Sequence, residues 1–282
     1  MNILITGANG QLATCIKALE HFYNQYNFIY KSATELDITN ASAVFSFFKN
    51  NTIDYCINCA AYTAVDKAES NQEQAYNVNV IGAENLAKAC NISNSKLIHV
   101  STDFVFNGSS NKPYNETDST CPLNVYGATK LEGEQRIQNH FDAYFIIRTS
   151  WLYSEFGNNF LKTMLRLSKT RDEIGVVSDQ FGSPTYAMDL ANTILKIIKV
   201  NNNAFGVFHY SNEGAISWYD FAKAIFDLNK IKIKINPITT EDFPTPAERP
   251  KYSVLDKAKI KKTFNVDVPS WKDSLKKAIL NL

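Results

Sequence analysis

Ser101-Thr102-Asp103 closes a short apolar run, and Tyr126-Gly-Ala-Thr-Lys130 follows it further along the chain. On a helix, Tyr126 and Lys130 stand at i and i+4 and so share a face. An ammonium in that place stabilises a phenolate, and brings a tyrosine from about 10 towards a range useful for proton transfer. Thr102, at the carboxyl end of a parallel strand, sits where open α/β sheets place ligands, so its hydroxyl can hold a carbonyl. Given a hydride, the three would turn a carbonyl into an alcohol, with Tyr126 giving the proton. A Tyr and a Lys four apart also occur by chance in many helices, where the tyrosine is a packed aromatic. The order of these residues along a βα chain, after a glycine turn, carries the reading.

That turn is Gly7-Ala-Asn9-Gly10-Gln11-Leu12-Ala13, placed after the first apolar run. Gly7 permits the tight turn, and Gly10 lets backbone approach a pyrophosphate held at a helix N-terminus. The carboxylate that usually meets the adenosine ribose is absent from the end of the next strand, which reads Lys31-Ser32-Ala33-Thr34. Lys31 and Ser32 could instead hold a 2′-phosphate, which leans the cofactor towards NADP(H), with NAD(H) as the alternative. The competing reading makes Lys31 a solvated surface lysine. Asp66, Lys67 and Glu69 read as a solvated helix start, and His99 and His209 as satisfied core residues. No cluster has metal-ligand spacing, so no catalytic metal is expected.

The elements that must position these groups follow from periodicity. Asn2–Thr6, Phe28–Tyr30, Tyr55–Asn58, Leu97–Ser101 and Tyr144–Arg148 read as strands. Helices are expected over Gln11–Tyr23, Ala41–Lys49, Gln72–Cys90 and Val125–Asn139. Near-continuous apolar strands alternating with helices imply a parallel sheet covered on both faces, a Rossmann-type doubly wound α/β fold. After Trp151 the rhythm loosens: helices over Asn158–Ser168 and Ala187–Lys199, a strand at Gly206–Tyr210, and a proline-rich stretch, Pro237–Pro250, without regular structure. Ser217 and Ser270 look like capping boxes opening two further helices. We therefore expect a dinucleotide-binding domain over 1–150 and a smaller C-terminal substrate-binding lobe over 151–282, partly interwoven with it.

Bulk properties exclude several classes. Lys+Arg 29 against Asp+Glu 28 gives a formal charge of +1, so no global field draws nucleic acid or an anionic membrane. No apolar run approaches the roughly 20 residues a membrane helix needs. Cys15, Cys56, Cys59, Cys90 and Cys121 form no disulfide framework, and a spacing of three on a strand points Cys56 and Cys59 to opposite faces. Reduced thiols and an N-terminus that opens directly on a strand point to the cytoplasm.

With these residues in view, the chain resembles the extended short-chain dehydrogenase/reductase superfamily and, within it, the dTDP-4-dehydrorhamnose reductases. The likeness runs nearly end to end through Asn58–Glu69, Ser101–Phe106, Pro122–Lys130, Arg148–Trp151, Asn159-Phe160, Asp179–Thr185 and Thr245–Pro250. It implies Thr102, Tyr126 and Lys130 as the catalytic trio. It places Ala60, Ala61 and Tyr62 along the cofactor, Asp37 and Ile38 near the adenine, and Asn79 in support of the site. Val65 and Trp151 would flank the sugar, with Asp103, Phe104 and Asn159 near it, and Arg249 would face the diphosphate. The activity implied is reduction of the 4-keto group of dTDP-4-dehydro-L-rhamnose, for a lipopolysaccharide or cell-wall polysaccharide. Reduction of another 4-keto-6-deoxy nucleotide sugar, and a non-catalytic dinucleotide-binding regulatory subunit, are the alternatives. Phe104 stands where the family usually has tyrosine, and where related dehydratases carry a carboxylate base, which disfavours dehydration. Cys15 replaces acidic residues that join a metal-linked dimer in some members, so neither Mg2+ nor that dimer is carried over. A monomer or weak homodimer is expected.

Overall fold

A computed structural model describes residues 1–282, and the first half folds as its alternating apolar runs require. It comprises β1 (Asn2–Thr6), α1 (Gln11–Leu19), β2 (Asn27–Lys31), α2 (Ala41–Asn50) and β3 (Tyr55–Asn58). There follow α3 (Val65–Ala68), α4 (Gln72–Tyr76), α5 (Gly82–Ser93), β4 (Lys96–Thr102), α6 (Val125–His140) and β5 (Tyr144–Thr149). The second half contributes β6 (Leu152–Tyr153), α7 (Phe160–Leu167), β7 (Glu173–Val177), β8 (Phe181–Gly182), β9 (Thr185–Tyr186) and α8 (Ala187–Val200). It ends with β10 (Gly206–His209), β11 (Ile216–Ser217), α9 (Trp218–Leu228), β12 (Lys234–Ile238), α10 (Ala258–Phe264) and α11 (Trp271–Leu280). No helix is long and apolar enough to cross a membrane.

Six strands lie side by side in the order β10-β5-β4-β3-β1-β2, all parallel. Their period of two sends Ile3, Ile5, Ile57 and Ile98 to one face, against α1 and α8. Leu4, Cys56, Leu97 and Ile146 turn to the other face, against α2, α5 and α6. Cys56 and Cys59 accordingly pack on opposite faces. Strand order reverses between β1 and β3, which opens a crevice at their carboxyl ends, where such sheets bind ligands.

Residue 150 divides the sequence rather than the layers. The sixth strand, β10, pairs with β5, and α8 packs beside α1, so chain beyond 150 completes the dinucleotide-type layer. The separate lobe has its own core around Tyr153, Phe221 and Leu275, braced by the short pairs β11–β8, β12–β7 and β6–β9. The proline-rich stretch is irregular except at its start, where Pro237 and Ile238 end β12. A proline fits there because β12 belongs to a two-stranded pair with a free edge.

The expected helix over Gln72–Cys90 is broken in its middle. Residues Asn77–Ile81 form a π-turn between α4 and α5. A Cβ on Gly133 of α6 would run into the Asn79 carbonyl, so glycine there lets α6 lie against this turn. Such insertions re-aim side chains and are frequent at functional sites. Ser217 makes a full capping box with Asp220. At Ser270 the serine accepts from the Asp273 N–H.

Candidate active site

The crevice beyond β1, β3 and β4 is a cleft of about 720 Å³. Of the residues singled out from sequence, Asn9, Gly10, Gln11, Leu12, Ala61, Val65, Thr102, Asp103, Phe104, Tyr126, Lys130 and Trp151 line it. Gly7 stands behind this wall with φ +67°, and a Cβ there would come within 2.7 Å of the Ala60 nitrogen. Gly10 begins α1 without any side-chain cap, leaving the first N–H groups of the helix to an anion in the cleft. That uncapped end and the close backbone approach at Gly7 fit a dinucleotide pyrophosphate.

Thr102, Tyr126 and Lys130 converge on the same cleft. Thr102 ends β4, donates to Asp103 Oδ1 at 3.1 Å and accepts from the Phe104 N–H at 3.2 Å. Asn124 caps α6 and thereby starts the turn that carries Tyr126. Gly127 lets that turn press on the Phe104 carbonyl, which any Cβ would strike. The expected lowering of the Tyr126 phenol is not seen. Burial pushes it up to about 12, against the pull of the Thr102 hydroxyl, and Asp103 pushes the same way as burial. The Lys130 Nζ is engaged elsewhere, 2.7 Å from the Val100 carbonyl and 3.0 Å from His99 Nε2. Burial brings Lys130 down to about 8, with Glu134 opposing. His99 is a core histidine as expected, but its partner is the lysine of the trio.

Asp103 is buried, and its Oδ2 has no hydrogen-bonding partner of good geometry. Burial lifts this carboxyl to about 7, against Ser253 and Thr102. Its pKa is thus raised on folding, so the folded chain keeps a proton that the unfolded chain sheds near pH 4. Stability must fall as pH rises between about 4 and 7, then level off. Asp103→Asn lacks this term, and should gain on the parent by about 2–3 kcal/mol between pH 5 and 8. Urea midpoints at both pH values check this; parallel pH slopes would count against a raised carboxyl.

At the end of β2 the structure departs from expectation. Glu35 folds back, its Oε2 accepting from the Ser32 N–H at 2.9 Å and from the Ser32 hydroxyl at 2.6 Å. A carboxylate therefore does stand at this strand tip, and the Ser32 donors expected for a 2′-phosphate are already used. Those hydrogen bonds and the charge of Lys31 keep Glu35 below the usual range. The Lys31 ammonium lies over the Phe47 ring at 5.6 Å. Asp37 binds the Thr39 N–H and hydroxyl, and Ile38 is buried with its carbonyl accepting from Asn85.

Asn79 acts on the cleft wall indirectly. From the π-turn its amide accepts from the Tyr62 N–H at 2.9 Å, and donates to the Tyr62 carbonyl and to Thr129. It ties the Ala60–Tyr62 segment to α6, where both Tyr126 and Lys130 sit. Glu69, read as solvated, accepts from the Val125 N–H at the first residue of that helix.

On the lobe side, Trp151 holds φ +47°, a costly backbone for a bulky residue, and stacks on Trp218 at 3.5 Å between centroids. Gly182 makes room beneath it, since a Cβ there would meet the indole at 2.6 Å. Phe104 meets Tyr126 edge-on at 5.8 Å. Two expected ligand contacts have other partners. Asn159 caps α7 and spends its amide on Lys162, Ser154, Phe156 and Gln11, leaving Asn158 on the cleft wall. Arg249 reaches Thr245, the Ala247 carbonyl and Asp66, the last at 2.8 Å, so Asp66 is an ion-pair partner rather than a solvated charge. Sequence reasoning missed Trp218, Cys59, Thr149, Ser150 and Asn158 as wall residues. Cys59, Thr149 and Ser150 lie inside stretches that carry the family resemblance, and Trp218 showed only as an aromatic directly after a helix cap.

The whole chain, residues 1–282, matches the family described as RmlD substrate binding domain. A dTDP-4-dehydrorhamnose reductase of Aggregatibacter actinomycetemcomitans is 45% identical over 97% of both proteins. Among solved structures, a dTDP-4-dehydrorhamnose reductase of Clostridium acetobutylicum is 46% identical over 100% of both chains, with a TM-score of 0.96. The reductase of Bacillus anthracis in complex with NADP is 42% identical over 100% of this chain and 99% of its own, also with a TM-score of 0.96. Identity at this level over nearly the whole length of both proteins makes this chain a member of the dTDP-4-dehydrorhamnose reductase family.

Proposed function

We propose that the cleft reduces the 4-keto group of dTDP-4-dehydro-L-rhamnose to dTDP-L-rhamnose, as an NAD(P)-dependent oxidoreductase. The observation that carries this reading is the meeting of Thr102, Tyr126 and Lys130 in one cleft with the uncapped end of α1. The relatives' activity and the NADP complex of one of them support it. A bound reduced dinucleotide supplies the hydride. Thr102 holds the keto oxygen, and Tyr126 passes its phenolic proton to that oxygen as negative charge develops. Lys130, once charged, steadies the phenolate left behind. Trp151 and Val65 bound the sugar, and Phe104 offers it an apolar edge without a hydroxyl.

NADP(H) is the preferred cofactor in this reading, through Lys31, with Glu35 as the group that opposes a 2′-phosphate. Lys31→Ala should weaken NADPH more than NADH, and Glu35→Gln should strengthen NADPH relative to NADH. Dissociation constants for both cofactors check this; equal changes for the two would remove these residues from the choice. The reaction itself is tested by the absorbance of reduced nicotinamide on mixing protein, NADPH or NADH, and dTDP-4-dehydro-L-rhamnose. Oxidation confirms the reading. Tight cofactor binding without oxidation would point instead to another 4-keto-6-deoxy nucleotide sugar, and co-purification with a larger enzyme to a regulatory subunit.

A further inference from the structure

Lys130 is 1% exposed, and no carboxylate hydrogen-bonds it. Its two partners are the Val100 carbonyl and His99 Nε2. His99 is equally buried, in mid β4, and its other ring nitrogen, Nδ1, lies 3.0 Å from Asn58 Nδ2. The position of the imidazole proton follows from Asn58. Its Oδ1 accepts from the Ala60 N–H at 3.1 Å and from the Thr6 hydroxyl at 2.8 Å. A backbone N–H can only donate, so the amide cannot be turned over, and the atom facing His99 is the donor Nδ2. Nδ1 then accepts, and a neutral imidazole carries its proton on Nε2. That N–H points at the Lys130 nitrogen across 3.0 Å. An amine accepts there, whereas an ammonium would set donor against donor.

We propose that His99 is a positioning residue that favours the neutral amine form of Lys130 over the ammonium, and that dinucleotide binding shifts the balance back to the ammonium by taking up a proton from solvent. The inference rests on reading the cleft as a dinucleotide site. Bound phosphates and hydroxyl acceptors favour the charged form, and the proton simply adds to the free electron pair on Nζ. Burial acts in the same direction as the imidazole, bringing Lys130 down to about 8 and keeping His99 well below its usual range, so the ring does not compete for the proton. The other groups around Lys130 are Tyr126 and Glu134 on its own helix, Asp103 beyond β4 and Cys59 beyond β3. Burial keeps the Cys59 thiol protonated, and Glu134 is committed to Arg148. Asp103 is thus the one neighbour that titrates in the same range.

Calorimetric titration of the full chain with NADP+, in buffers of different ionisation heat, reads the proton directly and needs no turnover. Uptake should approach about one proton per site near pH 9 and shrink near pH 6.5. It should persist in Asp103→Asn and vanish in Lys130→Met. In His99→Phe it should fall without vanishing, because burial still holds Lys130 down while the opposing N–H donor is gone, and His99→Gln, which keeps an N–H donor, should restore it. Equal uptake in His99→Phe and the parent overturns the proposal. Nitrogen-15 NMR of the unliganded parent gives an independent reading. An Nε2–H tautomer supports the proposal, and an Nδ1–H tautomer overturns it even if the chain binds no dinucleotide, which would be a failure of the cleft assignment instead.

Discussion

Tyr126→Phe should lower turnover by about 10²–10⁴-fold while leaving dinucleotide affinity nearly unchanged. The phenylalanine keeps the ring that packs edge-on against Phe104, so the wall of the cleft stays in place and only the hydroxyl is lost. Without it, the only proton-bearing group left on α6 at the cleft is Lys130, whose nitrogen is engaged by the Val100 carbonyl and His99. Asp103 also lines the cleft, but its Oδ1 already accepts from Thr102 and its carboxyl, lifted to about 7, holds a proton only at lower pH. The measurement is a pair: kcat from nicotinamide absorbance, and the cofactor dissociation constant from nicotinamide fluorescence. Loss of both together would mean a collapsed site rather than a missing acid. Unchanged turnover would remove Tyr126 from the mechanism.

Glu134→Ala should destabilise the fold by about 3–5 kcal/mol, because it strands a buried guanidinium. Glu134 and Arg148 are 1% and 4% exposed. Arg148 grips the carboxylate in two places, Nε on Oε1 at 3.0 Å and Nη2 on Oε2 at 2.7 Å. Oε1 also accepts from the Ser101 hydroxyl, one residue before Thr102. Arg148 lies over the Phe106 ring at 5.3 Å and beside His209, whose burial and neighbouring guanidinium push it down to about 3. No other carboxylate is bonded to Arg148 to take over the charge once Glu134 is gone. Glu134→Leu combined with Arg148→Met should recover most of the loss, since replacing both partners of a buried pair by apolar groups is often neutral. Denaturant midpoints of the single and double variants decide this. A double variant no better than the single would mean the pair also shapes β4 in a way that volume cannot replace.

Local order was legible in the residues. The strand and helix periods, the glycine turn, and the Tyr126/Lys130 face of α6 arise from contacts within a few positions, where side-chain direction is set by the backbone itself. From these alone the parallel sheet and seven residues of the cleft wall could be placed, Asn9 to Leu12 with Thr102, Tyr126 and Lys130, while Ala61, Val65, Asp103, Phe104 and Trp151 came only from the family resemblance. What only the tertiary structure decided is which polar groups meet. Glu134 with Arg148, Asp66 with Arg249, Asn58 with His99, and His99 with Lys130 join residues on different elements. A charge that finds its partner across the fold looks, in one dimension, like a charge that faces water, which is why Asp66 and Glu69 read as solvated. Glu35 lay near enough in sequence, but only the chain's turn after β2 brings it back onto Ser32. Likewise β10 closes a sheet begun two hundred residues earlier, and Trp218 stacks on Trp151. Such pairings have no period to announce them, because burial and hydrogen-bond satisfaction in the packed interior select them only after the elements have docked.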